Sequence, residues 1–211
     1  GVMALIEKVV EKNVVVSIGH TNASTQDIRD AIAAGATMST HLGNGSHQII
    51  RRFPNYIFDQ MAADELCAGF IVDGIHLDSN FLKVAIRAKG LEKSIITTDA
   101  VAPANCPPGS YRIGDQEVEL TADHCVRLKS SGRLAGSALR LDRALEKLMQ
   151  FTGISLLEAL RMATVNAAVG AGIEGRKGFL EAGDIADLIL FRFDEQTRAI
   201  QIESTVCAAV N

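Results

Sequence analysis

Four short apolar runs in this chain each end in a residue that can bind a metal or transfer a proton. The runs cover residues 14–20, 37–41, 69–76 and 94–99, and they end in His20, His41, His76 and Asp99. Stretches with helical periodicity separate them, and alternation of strand and helix is typical of a parallel sheet. In a barrel built this way, catalytic groups gather where the carboxyl ends of the strands meet. We therefore predict that the three histidines and the aspartate share one pocket.

These side chains are suited to metal-dependent hydrolysis. Imidazole binds divalent transition metals, and a catalytic metal keeps one position open for water. Such a water ionises with a pKa of about 7 in favourable zinc sites, and a carboxylate such as Asp99 can take its proton and return it to a departing amine. One histidine at a strand end is more often structural, and an aspartate there is often a helix N-cap or turn residue. The four positions together favour catalysis.

Two histidines and a pair of arginines lie outside this set. His47 is interpreted either as a substrate contact or as an ordinary loop residue, and His124 is expected to face solvent. Arg51 and Arg52 are either a solvated pair or include one anion-binding side chain, because arginine pairs with phosphate through two parallel hydrogen bonds. The backbone of residues 43–45 could offer amide donors to the same anion.

The elements between the runs indicate a barrel that is only partly present. Helices are predicted over residues 3–12, 25–34, 54–66, 80–89, 138–151 and 156–168. Four strands of the strand–helix type are visible, whereas a closed (β/α)8 barrel needs eight. We therefore expect an α/β fold that forms half of such a barrel, and we expect the chain to be a fragment.

The second half of the chain carries β signals of another kind. Residues 111–128 alternate at period two, which predicts short strands or a hairpin, and residues 134–137 predict a loop of small residues. Turn signals and apolar strands continue through residues 178–206. We expect residues 1–177 to form the partial barrel and residues 178–211 to form a β-rich tail that belongs to a separate small β domain.

Composition excludes several classes of function. Hydrophobic residues make up 47% and aromatic residues 5% of the chain, which is typical of an aliphatic α/β core. The net charge of −4 gives no basic surface for nucleic acid. No apolar run approaches the roughly 20 residues that span a bilayer, and residues 1–10 do not resemble a signal peptide. The four cysteines show no metal-type or regular spacing, so we expect reduced thiols and a cytoplasmic location.

Five segments carry an ordered set of motifs. They are Gly-His-Thr-Asn-Ala at 19–23, Thr-His-Leu-Gly-Asn-Gly at 40–45, Asp-Gly-Ile-His at 73–76, Thr-Thr-Asp-Ala at 97–100 and Leu-Ala-Gly-Ser at 134–137. In this order they resemble the N-acetylglucosamine-6-phosphate deacetylase family of the metal-dependent amidohydrolase superfamily. Residues 178–188 also resemble the closing stretch of that superfamily, which returns to a small β-sandwich domain.

The resemblance implies a role for each strand end. His20 and His41 would be metal ligands on barrel strands five and six. His76, on strand seven, would bind substrate and polarise the acetyl carbonyl. Asp99, on strand eight, would be the general acid and base. The chain would thus be the C-terminal half of a (β/α)8 TIM-type barrel.

The same resemblance implies further substrate-binding residues: Asn44, Gly45, Arg52, Leu134, Ala135 and Gly136. Asn44 and Gly45 would contact the sugar phosphate region. Arg52 matches an arginine that binds phosphate in the family, often that of a neighbouring subunit. The residues at 134–136 would line the pocket.

The implied reaction is metal-dependent release of acetate from N-acetylglucosamine 6-phosphate or a close N-acyl amino sugar. Zinc is the first candidate metal, with iron, cobalt and manganese as alternatives. The family supplies a metal-binding glutamate from an earlier barrel strand, which this sequence does not contain, so we expect the isolated chain to hold metal weakly. The expected partners are a small amino sugar phosphate and a second copy of the chain in a dimer, with no nucleic acid and no membrane. The alternatives are another amidohydrolase, such as a cyclic amidase or a deaminase, and a catalytically inactive fragment.

Overall fold

The structure, a computed structural model, describes residues 1–173 and 182–208. Its helices are α1 Val2–Val10, α2 Thr25–Ala33, α3 Tyr56–Ala62, α4 Ser79–Lys89, α5 Leu141–Thr152, α6 Leu156–Ala163 and α7 Val165–Gly170. Its strands are β1 Ser17–Ile18, β2 Met38–Ser39, β3 Cys67–Ile71, β4 Ser94–Thr97, β5 Gly109–Ile113, β6 Gln116–Leu120, β7 Cys125–Leu128, β8 Leu134–Ser137, β9 Leu188–Phe193 and β10 Ile200–Val206.

The first four strands form a parallel sheet in the order β1-β2-β3-β4. Every residue of β3 is buried, which is typical of a parallel strand covered on both faces. The main core contains β3 residues such as Phe70 and Ile71 together with Leu82 of α4, Leu148 of α5 and Met162 of α6. The prediction of an α/β fold with a parallel sheet is confirmed.

Local sequence signals explain where several helices begin and end. Ser24 caps α2 and forms a reciprocal capping box with Asp27, and Ser155 forms the same box with Glu158 at α6. Asp78 accepts hydrogen bonds from the first amides of α4. These side chains satisfy amide donors that a helix start leaves without partners.

Two predicted helices have different limits in the structure. The helix predicted over residues 54–66 is confined to α3, because Asn55 caps its start and Ala63 adopts an extended conformation with a ψ of 105°. The helix predicted over residues 156–168 is interrupted at Thr164, whose φ of −124° and ψ of −82° separate α6 from α7.

Strands β5 to β8 form a four-stranded antiparallel sheet. Its core is a separate cluster that includes Val118, Leu120 and Val126. The prediction that residues 134–137 form a loop is wrong, because they form β8 and pair with β7 across a bulge. A parallel bridge between Ala100 and Ser137 joins this sheet to the segment that follows β4.

The tail forms a two-stranded antiparallel sheet of β9 and β10. It contacts α5 through a hydrogen bond of 2.7 Å from the amide of Ile200 to the carboxylate of Glu146. Ile200 also lies in the main core. The predicted domain boundary at residues 177 and 178 lies outside the described residues.

All four cysteines are free thiols; Cys67 and Cys125 are buried, and Cys207 is exposed. Within residues 1–173 and 182–208, no helix is long and apolar enough to cross a bilayer.

Candidate metal and catalytic site

The residues predicted to share a site all follow strands of the parallel sheet. His20 follows β1, His41 follows β2, His76 follows β3 and Asp99 follows β4. Neighbouring strands lie about 4.8 Å apart, and parallel strands end at the same edge of a sheet. The topology therefore places all four residues at the carboxyl edge of one sheet.

The two histidines predicted to bind metal are in direct contact. Their Nε2 atoms lie 3.1 Å apart, and their ring planes meet at 83°. Zinc–nitrogen bonds are about 2.0–2.1 Å long, so two nitrogen ligands of a tetrahedral ion stand roughly 3.3 Å apart. The geometry of His20 and His41 fits a shared divalent ion.

The described residues supply only part of a metal site. No group of three or more histidine, cysteine, aspartate or glutamate side chains in residues 1–173 and 182–208 could hold a metal. In that same part of the chain, the buried Nδ1 atom of His41 has no hydrogen-bond partner. The observed donor set is thus two imidazoles, and a full set needs a further ligand.

Three of the four strand-end residues have an unusual backbone. The φ angles are +40° at His20, +30° at His41 and +49° at Asp99. Positive φ is uncommon outside glycine and costs roughly 1–2 kcal/mol per residue. Such strain clusters at functional sites. The strain at His20, His41 and Asp99 therefore marks these strand ends as a candidate functional site.

The loop after His41 lies against the His20 ring. Gly45 has a φ of +63°, and a Cβ atom at this position would lie 2.5 Å from Cε1 of His20. The amide of Asn44 donates to the carbonyl of His41 at 2.9 Å. A small cavity of about 20 Å³ lies beside this loop, and its lining includes His20, Thr40, Asn44, Gly45, Tyr56 and Gln60. Glycine is required at position 45 because the loop and the ring approach so closely.

His76 is held by an aspartate that the motif contains but that we did not predict to be functional. Nδ1 of His76 lies 2.5 Å from Oδ2 of Asp73, and both side chains are buried. Oδ1 of Asp73 accepts the amides of Ile75 and His76, each at 2.8 Å. Burial alone would raise the pKa of the Asp73 carboxyl, but these hydrogen bonds outweigh it and lower the pKa below its ordinary value of 3.8.

Strand β8 lies beside Asp99. The amide of Ser137 donates to the carbonyl of Asp99 at 3.1 Å, and the amide of Val101 donates to the carbonyl of Ser137 at 2.9 Å. Leu134, Ala135 and Gly136 belong to this strand and are partly buried. The three predicted pocket residues therefore sit on the segment that is hydrogen-bonded to the proposed acid and base.

Arg52 and His47 lie on the loop before α3, and His124 lies between β6 and β7. Arg52 is exposed, and its carbonyl accepts the side-chain amide of Asn55 at 3.1 Å. Nδ1 of His47 lies 2.8 Å from the hydroxyl of Tyr56. His124 is exposed, as predicted. The structure does not bring Arg52 into contact with the histidine pair.

Residues 1–210 match the profile of the Amidohydrolase family. This chain belongs to that family. The amidohydrolase superfamily is metal-dependent, in agreement with the expectation of a metal.

Curated relatives include N-acetylglucosamine-6-phosphate deacetylases. The protein of that name from Lysinibacillus sphaericus is 34% identical over 188 residues, which are 89% of this chain and 48% of the relative. The one from Bacillus subtilis is 34% identical over 190 residues, 90% of this chain and 48% of the relative. The N-acetylgalactosamine-6-phosphate deacetylase of Escherichia coli O157:H7 is 30% identical over 189 residues, 90% of this chain and 49% of the relative. The chain thus spans about half the length of these relatives.

Solved structures of deacetylases are similar in fold to this chain. An N-acetylglucosamine-6-phosphate deacetylase from Mycobacterium smegmatis, an aspartate-to-alanine mutant in complex with N-acetyl-D-glucosamine-6-phosphate, has a TM-score of 0.86 at 29% identity, over 97% of this chain and 53% of that one. The deacetylase from Thermotoga maritima has a TM-score of 0.84 at 27% identity, over 97% and 54%. The predicted resemblance to this group of deacetylases is confirmed.

Proposed function

We propose that the chain is the C-terminal half of a (β/α)8 metal-dependent deacetylase and contributes barrel strands five to eight. The whole protein removes acetate from N-acetylglucosamine 6-phosphate or a close N-acyl amino sugar. The observation that carries this proposal is the contact between Nε2 of His20 and Nε2 of His41 at 3.1 Å, in a chain whose relatives include several such deacetylases.

His20 and His41 hold the divalent metal, with zinc the first candidate. When bound, the metal supplies an activated water and polarises the acetyl carbonyl. The two rings come from adjacent parallel strands, so their spacing is set by the sheet itself. The close approach of Gly45 keeps the His20 ring in place. A further donor comes from a part of the protein outside the described residues.

Asp99 moves the proton. A carboxylate at the strand edge can accept a proton from the attacking water and deliver it to the amine that leaves. Asp99 is exposed at the edge, and the bond from Ser137 to its carbonyl fixes its backbone. Both features suit a group that must meet water and then substrate.

His76 orients the acyl group. Its Nδ1 atom is occupied by Asp73, so Nε2 is the ring nitrogen that remains for substrate. With its Nδ1 proton held by the Asp73 carboxylate, the ring can take a second proton on Nε2 and donate it to the carbonyl oxygen, where negative charge develops as the amide is attacked. This is the charge that a catalytic group must stabilise to accelerate the reaction.

The remaining predicted residues recognise the sugar phosphate. Arg52 pairs with the phosphate, and the backbone at Asn44 and Gly45 contributes near the same end of the substrate. The residues at 134–136 form the wall next to Asp99. The relatives include both N-acetylglucosamine and N-acetylgalactosamine 6-phosphate deacetylases. These two substrates differ in the orientation of a sugar hydroxyl, so the experiment below compares both.

The experiment compares substrates on a fusion protein in which this chain follows the amino-terminal half of the Bacillus subtilis deacetylase. Acetate is measured with both N-acetylated sugar phosphates, with unphosphorylated N-acetylglucosamine, and with a panel of cyclic amides; ammonia is measured with aminopurines. We expect acetate from a sugar phosphate and no other product. Ring opening or ammonia release as the faster reaction would instead assign the chain to a cyclic amidase or a deaminase.

We also propose that the whole protein is a cytoplasmic dimer. The free thiols suit a reducing compartment. The loop that carries Arg52 exposes Ile49 at 91% and Phe53 at 74%, and exposed apolar patches of this kind mark contact surfaces. Sedimentation of the fusion protein and of its Phe53→Ser variant tests the dimer: the variant should shift toward monomer.

A further inference from the structure

The carboxylate of Asp73 accepts three hydrogen bonds, all from Ile75 and His76. Two come from the backbone amides of Ile75 and His76 at 2.8 Å, and the third comes from Nδ1 of the His76 ring at 2.5 Å. Asp73 is only 5% exposed. An ionised carboxylate only accepts hydrogen bonds, so in this contact the donor is Nδ1–H of His76.

The turn that carries this pair is anchored from two sides. On one side, it continues directly from β3, whose residues are all buried. On the other side, Nζ of Lys147, on α5, donates to the backbone carbonyl of Asp73, and a Cβ atom at Gly74 would lie 3.1 Å from the Phe151 ring. Because core elements fix the turn, Asp73 holds the His76 ring against a rigid support.

We propose that Asp73 is a positioning residue: its carboxylate keeps the proton of His76 on Nδ1, so that Nε2 is the ring atom offered to substrate. The expected effect on catalysis rests on the proposed function, but the tautomer of His76 depends only on the contacts described above. In a histidine, the hydrogen bond made by one ring nitrogen determines the protonation of the other. The lowered pKa of the Asp73 carboxyl agrees with an ionised partner for Nδ1–H.

The Asp73→Asn variant should reverse this arrangement. An asparagine has one acceptor oxygen, and the two backbone amides would retain it. The side-chain NH2 would then face Nδ1 of His76, which must accept and therefore lose its proton. The neutral ring is forced into the Nε2–H tautomer, and it cannot become doubly protonated without losing its partner. A merely structural Asp73 would have no such effect on the ring, because asparagine is of the same size and keeps both backbone bonds.

The test is a ring-nitrogen NMR spectrum of the 211-residue chain labelled with 15N in its histidines. His76→Gln identifies the signals by their disappearance. We expect a protonated Nδ1 on His76 in the wild type, and a change to protonated Nε2 with unprotonated Nδ1 in Asp73→Asn. Asp78→Asn is the matched control, since Asp78 is exposed, lies close in sequence and caps α4 instead of binding the ring; its spectrum should match the wild type.

Two results would overturn the proposal: a wild-type His76 that carries its only proton on Nε2, or an Asp73→Asn spectrum with the wild-type pattern at His76. The wild-type spectrum decides even if the variant does not fold. In the fusion protein, we expect Asp73→Asn to lower kcat about 10- to 100-fold with little change in KM. Absence of acetate release by the wild-type fusion would count against the proposed function and leave the tautomer measurement valid.

Discussion

The Nε2 atoms of His20 and His41 face each other at 3.1 Å across the ends of two adjacent strands. Two neutral imidazoles at this distance share one hydrogen bond, and a divalent ion would instead accept a lone pair from each ring. Both rings are set by a left-handed backbone at the strand end. The backbone at the two strand ends therefore positions the pair.

We predict that zinc binding to the fusion protein depends on both rings. Replacing either His20 or His41 by Ala should weaken zinc binding by more than about 100-fold, because loss of a ligand costs more than the 10- to 100-fold typical of its outer-shell partners. Calorimetric titration measures the affinity. His124→Ala is the control, since His124 is exposed in a turn. Equal affinities in all variants would place the metal elsewhere.

We predict that Gly45→Ala disturbs the same site. The new Cβ atom would meet Cε1 of His20 at 2.5 Å and displace the ring, so zinc affinity should fall by about 10-fold or more. Gly114→Ala is a matched control: its φ of +55° imposes similar backbone strain, but nothing lies within 4 Å of the added methyl group. If both variants bind zinc alike, close packing of the loop against His20 has no functional role.

We predict that Arg52, and not Arg51, recognises phosphate. In the fusion protein, Arg52→Ala should raise KM for a phosphorylated substrate about 10- to 100-fold, which corresponds to one charge-assisted hydrogen bond. KM for unphosphorylated N-acetylglucosamine should stay the same. Arg51→Ala should leave both values unchanged, and a reversal of the two variants would reassign the anion contact to Arg51.

We predict a pH-dependent contribution of Asp73 to stability. Since folding lowers the pKa of its carboxyl below 3.8, the contribution is full above that value and is lost as the pH falls through the lower folded-state pKa. Wild type should exceed Asp73→Asn in free energy of unfolding by about 1–3 kcal/mol near neutral pH, and the gap should close in acid. Urea unfolding across this range measures it; a gap that widens in acid would contradict the assignment.

The parallel sheet and the placement of the four candidate residues after its strands were predictable because both follow from strong local patterns. An apolar run that ends in histidine or aspartate marks a strand and its carboxyl end. Four such runs separated by helices are compatible with only a few sheet topologies. The caps of α2, α4 and α6 follow from Ser24, Asp78 and Ser155 in the same local way.

Other features were not predictable from local sequence patterns. Leu-Ala-Gly-Ser at 134–137 has little strand propensity of its own, and it becomes β8 because β7 and the Asp99 segment supply its hydrogen bonds. The break between α6 and α7 at Thr164 occurs without a proline or glycine that would indicate a helix end. The contact between Asp73 and His76 is local in sequence, but it depends on the conformation of the turn after β3.

The most direct measurement is acetate release from N-acetylglucosamine 6-phosphate by the zinc-loaded fusion protein and its Asp99→Asn variant. General acid and base groups contribute about 10²- to 10⁴-fold, so we expect kcat to fall by that factor in the variant while one zinc ion per chain remains bound. Asp115→Asn, at an exposed turn between β5 and β6, should release acetate at the wild-type rate. A folded, zinc-loaded wild-type fusion that releases no acetate, or an Asp99→Asn variant with unchanged kcat, would contradict the assignment of this chain to a deacetylase whose acid and base is Asp99.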